Sequence, residues 1–460
     1  MPGRALPLAA LLILLLAACA SRPRLTSTPV LYFALTDRFS DGDPGNDRDV
    51  DRAGPGAYHG GDLAGLRARL DYLAALGVDI LWISPVVENV DRPVGGAGFP
   101  DWGYHGYWAR DFDRIDPHLG GEADLRALVL AAHARGLRVL LDVVLNHPGY
   151  GSPYDVAEWT RSPPRGDCGA DPLTSCLFGL PDFRTEEPRV ADALIRAHLG
   201  WAARSGVDGF RCDTVVNVGL DVWARLAAAA RAAHPGFLLV GEAWGAAPSA
   251  SDAPAYLAVF DALFDFSFAD PVLAYVTGGD AAELARYLTA RGPGADRFVV
   301  FLDSHDTPGF RHRAGDRSDA LLLGAVLEMT VPGIPLIYYG DEVGRAGGDW
   351  PANRSDMPWT PDEGADLGVL GRYRQLVAAH HRIGGPLTIL HAEGPTIAYM
   401  RGHSALVAVN AGSSPATIDL PLATPHLADF LGWGATVTAS ATSTHIVLPA
   451  RSAAILLRKE

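Results

Sequence analysis

The segment GFRCDTVVNV, residues 209–218, places one arginine and one aspartate inside a run that is otherwise largely apolar. The stretch 207–213 has the character of a buried β-strand, and an amphipathic helical pattern follows over 220–233. Taken alone, Arg211 and Asp213 are equally well explained as a structural ion pair, because a buried carboxylate needs a partner to offset its lost hydration. The rest of the chain has to decide whether the pair also has a function.

The same unit, an apolar strand followed by an amphipathic helix, occurs eight times after residue 29. Near-continuous apolar strands that alternate with helices predict a parallel sheet covered on both faces. Eight such units over about 350 residues predict an α/β fold of the (β/α)8 TIM-barrel type. The predicted strands are 30–36, 79–85, 137–145, 207–213, 237–242, 263–268, 297–303 and 334–339, and helices are predicted between them, for example at 62–76, 122–135, 189–204 and 220–233.

Two regions depart from this pattern. Residues 148–182 are rich in Gly, Pro and Asp and predict a short loop domain (domain B) inserted after the third strand. From 385 to 460, short alternating runs separated by turns predict a C-terminal antiparallel β-sandwich (domain C). The catalytic barrel is therefore expected to comprise residues 30–147 and 183–384.

The N-terminus has the pattern of a targeting segment. The apolar run at 6–18 follows a basic residue and is too short to span a bilayer, which needs about 20 residues. LAAC at 16–19 resembles the bacterial lipobox and predicts a signal peptide over 1–18, with lipidation of the cysteine that follows. Residues 19–29 would then be a polar tether. An ordinary secretory signal with a chance cysteine is the alternative.

If Cys19 is lipidated, the protein is exported and anchored to the bacterial membrane, the outer membrane if the host has one, facing the periplasm or the exterior. In that oxidising setting Cys168 and Cys176, close together in a loop, are predicted to form a disulfide. A zinc site is the competing interpretation, but no second cysteine or histidine pair has the required spacing. Cys212 is predicted to be a buried free thiol.

The overall composition excludes two classes of protein. Hydrophobic residues at 48% and charged residues at 20% are typical of a globular chain and not of a disordered one. A formal net charge of -15 with no basic run argues against a nucleic-acid partner. Apart from the N-terminal segment, nothing is long and apolar enough to predict membrane insertion.

Polar residues accumulate at the carboxyl ends of the predicted strands, where TIM-barrel enzymes carry their active sites. Each could merely cap the following helix, but together they predict a catalytic cluster of carboxylates, histidines and one arginine. Carboxylates without a metal-binding histidine pair suggest glycosidic chemistry, in which one carboxylate attacks and another donates a proton. Arg211 is predicted to keep Asp213 ionised and nucleophilic. The residues at these strand ends are Asp142, Asn146, His147, Arg211, Asp213, Glu242, Asp303, His305 and Asp306.

Four of these segments resemble the signature regions of the α-amylase family, glycoside hydrolase family 13: DVVLNH (142–147), GFRCD (209–213), GEAW (241–244) and FLDSHD (301–306). The resemblance extends from about residue 30 to 455. It implies a retaining mechanism with Asp213 as nucleophile, Glu242 as general acid/base and Asp306 stabilising the transition state. It further implies substrate binding by His147, His305, Tyr107, Arg354 and Arg211.

The segment DGDPGND (41–47) concentrates oxygen ligands in a tight loop, and HGGD (59–62) adds another. Such a set suits Ca2+, which takes six to eight oxygens, although an Asp/Gly turn cluster without an ion is the alternative. The stretch resembles the N-terminal calcium loop of cyclodextrin glucanotransferases and related amylases. The implied ligands are Asp41, Asp43, Asn46, Asp47, the Gly60 carbonyl and Asp62, with a second, interdomain site at Asn146, Asp182 and the Asn217 carbonyl.

The resemblance implies an α-amylase that cleaves internal α-1,4 bonds of starch-type glucans or maltooligosaccharides. A 4-α-glucanotransferase or a cyclomaltodextrinase-type activity on the same scaffold is the alternative, and a non-catalytic glucan-binding protein is disfavoured by the intact triad. The chain departs from relatives at Val216 and Asn217, where Lys-His is frequent, and at Trp350, where an aspartate is frequent. The first departure predicts weak binding of acceptor sugars and therefore hydrolysis. The sequence leaves the oligomeric state open.

Overall fold

The computed structural model describes Pro23 and residues 28–458. Eight parallel strands close into a barrel, in which each strand pairs with its neighbours along the chain and the last pairs with the first. The strands are β1 (Leu31–Ala34), β2 (Ile80–Ile83), β3 (Arg138–Val143), β4 (Gly209–Cys212), β5 (Leu238–Gly241), β6 (Ala262–Phe264), β7 (Phe298–Phe301) and β8 (Ile334–Tyr338). The predicted TIM barrel is confirmed, and every predicted strand overlaps an observed one.

Helices cover the barrel between successive strands. The long helix Pro188–Ser205 begins with proline, whose missing N–H costs nothing at that position, and ends at Gly206 in the left-handed conformation, with a φ of 81°. The helix predicted at 62–76 is two helices, because Arg69 leaves helical geometry. The α-helices are Thr36–Phe39, Leu63–Ala68, Leu70–Leu76, Glu122–His133, Pro188–Ser205, Leu220–Ala233, Ala253–Leu257, Ala269–Val276, Ala281–Ala290, Phe310–Arg313, Ser318–Thr330 and Leu367–His380.

Two excursions from the barrel lie on its carboxyl side. After β2 the chain forms an antiparallel ladder between Val87–Asn89 and Ala109–Ile115, which the sequence pattern did not reveal. After β3 the predicted loop domain contains a short ladder between Thr160–Arg161 and Asp182–Phe183. A disulfide joins Cys168 to Cys176 in this second excursion, and Cys212 is a buried free thiol.

The C-terminal region is an antiparallel β-domain of two sheets. Its strands are β9 (Leu387–Glu393), β10 (Thr396–Arg401), β11 (Ala405–Asn410), β12 (Ala416–Leu420), β13 (Leu427–Asp429), β14 (Thr436–Ala439), β15 (Thr444–Leu448) and β16 (Ser452–Arg458). The five-stranded sheet has the order β9-β10-β11-β16-β13 and the three-stranded sheet the order β12-β15-β14. Their facing apolar side chains, such as Leu406 and Ile446, form a core separate from that of the barrel.

Within the described part of the chain, no helix has the length and apolarity needed to cross a membrane. The predicted signal peptide at 1–18 and the predicted lipidation site Cys19 lie outside the described residues.

Candidate active site

Arg211 is the centre of the polar cluster at the barrel mouth. Its side chain is 2% exposed, and its Nη1 donates to Asp213 Oδ1 at 2.6 Å and to the two oxygens of Asp142 at 3.0 and 3.1 Å. Its Nη2 lies 3.0 Å from Glu242 Oε1. One buried guanidinium therefore binds three carboxylates, which answers the question raised by the 209–218 segment: the ion pair is structural and part of a larger acidic cluster.

The register of three neighbouring strands creates this arrangement. Asp142 in β3 is opposite Arg211 in β4, and Cys212 in β4 is opposite Gly241 in β5. Asp213 and Glu242 each follow directly after their strand. Because parallel strands end at the same edge, both carboxylates emerge side by side at the mouth.

The charges of the cluster shift the pKa values of its acids in opposite directions. Burial raises the pKa of Glu242 well above its ordinary value; Arg211 opposes this, while the negative charges of Asp213 and Asp306 add to it. Burial acts to raise the pKa of Asp306 too, but the attraction of His305 and of the nearby arginines outweighs it and lowers the pKa. The site thus raises the pKa of one carboxyl group and lowers that of another, the separation that acid–base chemistry requires.

The residue after Asp213 has an unusual backbone conformation. Thr214 has a φ of 47°, which is rare for a β-branched side chain and costs on the order of 1–3 kcal/mol. In this conformation its N–H donates to Glu242 Oε2 at 2.9 Å. The strained turn therefore holds one oxygen of Glu242 while Arg211 contacts the other.

An aromatic and basic wall borders the same mouth. The rings of Tyr107 and His305 are stacked 5.3 Å apart at 12°, and the Tyr107 hydroxyl donates to Asp142 Oδ2 at 2.7 Å. Arg354 Nη2 donates to Asp306 Oδ1 at 3.3 Å and its Nε donates to the His305 carbonyl at 2.8 Å. Burial lowers the pKa of His305 to about 3, so its ring is neutral near pH 7.

His147 lies at the same mouth. It is buried, and burial lowers its pKa, although the negative charge of Asp213 acts in the opposite direction. The structure thus brings together all the predicted catalytic and substrate-binding residues, namely Asp213, Glu242, Asp306, Arg211, His147, His305, Tyr107 and Arg354.

Asp303 is the one strand-end acid that does not face this cluster. Its Oδ2 accepts a hydrogen bond from the Phe310 N–H, and its carboxyl group lies beside Asp341 and Arg345. The Phe310 N–H thus draws this carboxyl group toward the start of the helix Phe310–Arg313. Its inclusion among the mouth residues was wrong.

Asp142 is a site residue to which the sequence analysis assigned no role. It is buried and accepts hydrogen bonds from Arg211, from Tyr107 and, at 3.1 Å, from Trp82 Nε1. Burial raises its pKa to about 7. Its position inside β3, directly opposite Arg211, is the signal that could have identified it.

A second polar cluster lies in the loop between β1 and the helix Leu63–Ala68. Asp62 is fully buried, and its carboxylate accepts hydrogen bonds from Gly42 N at 3.1 Å, Asp43 N at 2.9 Å, Asn46 Nδ2 at 2.9 Å and Gly65 N at 2.6 Å. Asp43 Oδ1 accepts from Gly45 N at 3.0 Å. Asp62 thus organises the loop and has little free coordinating capacity, whereas Asp43 is exposed and keeps its Oδ2 free of hydrogen bonds among the described residues.

The other predicted ligands of this loop keep free oxygens. Asp41 Oδ1, Asn46 Oδ1 and Asp47 Oδ1 are buried and have no hydrogen-bond partner among the described residues. A Cβ placed on Gly60 would lie 2.7 Å from Asp47 Oδ1, so the backbone of Gly60 approaches the same point. Within the described chain, three or more His, Cys, Asp or Glu side chains never converge as metal ligands. Two carboxylates, one amide and a nearby carbonyl are instead the oxygen-only donor set that suits a hard cation.

The predicted interdomain site has a different geometry. One terminal atom of the Asn146 amide lies 3.1 Å from both Asp182 Oδ1 and the Asn217 carbonyl oxygen. If that atom is nitrogen, it donates two hydrogen bonds; if it is oxygen, three oxygens converge on one point. Arg161 also donates to Asp182, through Nη1 at 3.0 Å. The residues fit a small cation in one amide orientation and need none in the other.

A closed (β/α)8 barrel whose mouth holds a carboxyl group of raised pKa, a carboxylate of lowered pKa and an arginine-bound aspartate defines the class of barrel glycoside hydrolases. The alpha-amylase family profile, described as "Alpha amylase, catalytic domain", matches residues 33–162 and 173–365. The chain belongs to the alpha-amylase family, and it is a glycoside hydrolase.

Individual proteins agree with this assignment. The periplasmic alpha-amylase of Escherichia coli (strain K12) is 31% identical, over 83% of this chain and 72% of its own length. The alpha-amylase of Streptomyces lividans is also 31% identical, over 72% of this chain but only 45% of its own length. The crystal structure of an Anoxybacillus alpha-amylase superposes with a TM-score of 0.84, covering 94% of this chain and 98% of that one at 28% identity.

Proposed function

We propose that this protein is an exported α-amylase that hydrolyses internal α-1,4-glucosidic bonds of starch-type glucans or maltooligosaccharides with retention of configuration. The observation that carries the proposal is the contact of one guanidinium, that of Arg211, with both Asp213 and Glu242. A retaining enzyme needs its two carboxyl groups close together, about 5–5.5 Å apart, because one of them forms a covalent bond with the sugar.

The roles follow from the positions of the two acids around Arg211. The Asp213 carboxylate attacks the anomeric carbon while Glu242 transfers a proton to the departing glycosidic oxygen, which leaves a glucosyl ester on Asp213. Water then enters, Glu242 takes one of its protons, and the resulting hydroxide displaces Asp213. Asp306, a carboxylate, stabilises the positive charge that develops on the sugar ring in both steps.

Substrate binding is assigned to the wall of the mouth. Tyr107 offers its ring to the sugar at the cleaved bond, and its hydroxyl is fixed by Asp142. His305 and His147 are neutral near pH 7 and can hydrogen-bond sugar hydroxyls without carrying charge. Arg354, held by the His305 carbonyl, extends the binding surface toward the non-reducing side.

Calcium has a structural role in this proposal. Asp41, Asp43, Asn46, Asp47 and the Gly60 carbonyl would hold one ion in the loop, and Asp62, the remaining predicted ligand, organises it through four hydrogen bonds. Asn146, Asp182 and the Asn217 carbonyl would hold a second ion, with the amide oxygen of Asn146 turned toward the other two. Bound there, the ion supplies positive charge to oxygens that otherwise have no partner.

The export signal and the lipid anchor at Cys19 complete the proposal. The LAAC motif and the apolar run before it support them, as does the periplasmic alpha-amylase among the relatives.

The domain limits are part of the same proposal: the barrel comprises residues 30–147 and 183–384, domain B residues 148–182, and domain C residues 385–460.

A product profile on maltoheptaose and starch tests the function. Internal cleavage is expected to give a range of maltooligosaccharides, released first as α-anomers in polarimetry or NMR. Initial release of β-anomers would remove Asp213 from the role of nucleophile. If transfer to added glucose or maltose exceeds hydrolysis, the 4-α-glucanotransferase alternative replaces the α-amylase, and preference for cyclodextrins would select the cyclomaltodextrinase type.

Asp213→Asn is the direct test of the nucleophile. Activity on starch should fall by on the order of 10⁴-fold or more, because the amide cannot form the glycosyl ester. The melting temperature should stay close to that of the unchanged enzyme, since asparagine can still accept from Arg211. Asp221→Asn, on the exposed surface of the helix Leu220–Ala233, is the matched control and should keep full activity.

A further inference from the structure

Two aromatic side chains, the exposed Trp350 and the half-buried Phe99, form a pair near the mouth. The ring of Trp350 is tilted by 31° to that of Phe99, with centroids 5.2 Å apart. Trp350 remains 44% exposed, which is unusual for so large an apolar side chain. The pair comes from two different loops, the one after β2 and the one after β8.

Both loops are fixed by the rest of the molecule. A Cβ on Gly56 would come within 2.7 Å of the Phe99 ring, so this ring packs closely on a position that only glycine permits. The Trp102 N–H donates to the Gly56 carbonyl at 2.7 Å. On the other loop, Asn353 Nδ2 donates to the carbonyls of His305 and Thr307, both at 3.0 Å.

The pair is connected to the catalytic cluster. Trp350 precedes the turn Ala352–Arg354, and Arg354 contacts Asp306 at 3.3 Å. Asp101, two residues after Phe99, lies close enough to Arg354 to feel its charge, although burial raises the pKa of Asp101 to about 6. No side chain among the described residues donates a hydrogen bond to the Asp101 carboxyl group. An aromatic face next to a free hydrogen-bonding group is the combination that recognises a sugar ring and its hydroxyls.

We propose that Phe99 and Trp350 form a platform on which a distal glucose unit of the substrate stacks, on the non-reducing side beyond Arg354, with Asp101 accepting hydrogen bonds from its hydroxyls. The inference rests on the proposed hydrolysis of α-glucans and names the residues that set chain-length preference. The ligand is a glucan long enough to extend from the Asp213 site past Arg354. A short oligosaccharide bound across the cleaved bond does not reach the platform.

The test compares long and short substrates in Trp350→Ala. On maltoheptaose, kcat/KM should fall about five- to tenfold, mainly through KM, because one ring-stacking contact is lost. On maltotriose it should change less than about twofold. Trp350→Phe should restore most of the maltoheptaose activity, since it keeps an aromatic face. Leu367→Ala, which removes another exposed apolar side chain, is the matched control and should leave kcat/KM unchanged for both substrates.

Binding to Glu242→Gln separates this proposal from the proposed function. With this variant, Trp350→Ala should weaken the Kd for maltoheptaose by the same factor and leave that for maltotriose unchanged in calorimetry. If the unchanged enzyme cleaves no α-glucan, the proposed function fails. If the enzyme does cleave α-glucans but Trp350→Ala lowers kcat/KM for maltoheptaose and maltotriose equally, or for neither, the platform is overturned.

Discussion

Several acidic side chains at the mouth are buried around a single arginine. Arg211 brings Asp142, Asp213 and Glu242 around one positive charge, with Asp306 nearby. Burying that many negative charges costs free energy unless at least one acid keeps its proton. The raised pKa of Glu242 favours the protonated form of the group that must donate a proton in catalysis. The feature that destabilises ionised Glu242 is therefore the same feature that makes it a useful acid.

The protonation of Glu242 predicts an alkaline limb in the pH profile. We expect kcat/KM to fall as the pH rises through the pKa of Glu242 in the free enzyme, because the leaving oxygen then receives no proton. Rates on maltoheptaose measured across pH check this. A profile that stays flat into the alkaline range would show that another group donates the proton.

Stability should respond to the same group. A carboxyl group whose pKa is raised on folding contributes stability that is fully present below its unfolded pKa and is lost as the pH rises through its folded pKa. Glu242→Gln mimics the protonated form, so it should raise Tm relative to the unchanged enzyme, and by more at about pH 9 than at about pH 5. Glu283→Gln, at an exposed site, should show no such pH-dependent gain. Equal shifts of Tm at both pH values would contradict the predicted burial cost.

At the scale of elements, the loop 41–47 contains buried side-chain oxygens that have no hydrogen-bond partner among the described residues. The hydrogen bonds that the loop does make are accepted mainly by the Asp62 carboxylate. Buried oxygens without partners cost free energy, and a bound cation removes that cost. Because the ion binds only the folded loop, it stabilises the native state by mass action. Asp47 contributes a free oxygen, whereas Asp43 accepts a hydrogen bond within the loop.

Removal of calcium should therefore lower Tm. Differential scanning calorimetry with and without excess EDTA should show a drop, and Asp47→Ala should abolish most of the difference. Asp43→Ala should reduce it less, and Asp362→Ala, an exposed aspartate far from the loop in sequence, should leave it intact. Identical melting curves with and without EDTA would reject both proposed ions.

The short helical turn Val215–Asn217 carries the two departures from the family pattern that are predicted to border the leaving-group side. Asn217 Nδ2 donates to the Pro172 carbonyl at 3.0 Å and so holds the disulfide-bearing loop. Val216 is half-buried and has no side-chain donor. The weak acceptor binding expected from the sequence is consistent with a turn in which one side chain supports structure and the next is apolar.

Val216→Lys should raise the ratio of transfer to hydrolysis. A regained hydrogen bond to a neutral sugar is worth about 0.5–1.5 kcal/mol, up to roughly a tenfold change. The assay uses maltopentaose with added maltose as acceptor and resolves the products by chain length. Val216→Leu controls for side-chain size. If lysine leaves the ratio of transfer to hydrolysis unchanged, position 216 does not contact the acceptor. Asn217 is kept in this test, because replacing it would also remove the hydrogen bond from its side chain to the Pro172 carbonyl.

At the scale of the whole molecule, the chain enters the barrel on the side opposite the active site. The Pro23 carbonyl accepts from Arg138 Nε at 2.7 Å, and the Val30 N–H donates to Asp79 Oδ2 at 2.8 Å. Arg138 begins β3 and Asp79 directly precedes β2, so both mark the amino ends of the strands. A tether attached there would leave the mouth facing away from the membrane, open to a polymeric substrate.

Lipidation at Cys19 predicts where the enzyme is found. The unchanged protein should fractionate with membranes, because a multiply acylated lipoprotein binds a bilayer stably. Cys19→Ser should move it to the soluble fraction while its activity on starch stays the same, since the anchor is remote from the mouth. Cys212→Ser, at the buried thiol, should not change fractionation. Membrane retention of Cys19→Ser would disprove the lipid anchor.

The sequence alone determined the barrel and most of its site. Strand and helix periodicities are local, so eight alternating units were visible without any long-range contact. The residues that follow each strand could be identified from the same local pattern. Because parallel strands end at one edge of the sheet, these residues were expected to lie together. The C-terminal domain was predicted as an antiparallel β-domain but not in its strand order, because the pairing of β16 with β11 and with β13 joins segments that are distant in the chain.

Only the tertiary structure decided what each strand-end residue touches. Asp142 received its place beside Arg211 from the register of β3 against β4, and Asp303 accepts from the Phe310 N–H and lies beside Asp341 and Arg345 instead. Phe99 and Trp350 are about 250 residues apart, and no local pattern relates them. Periodicity along the chain specifies elements, whereas side-chain contacts between elements depend on register and loop packing, which local sequence does not encode.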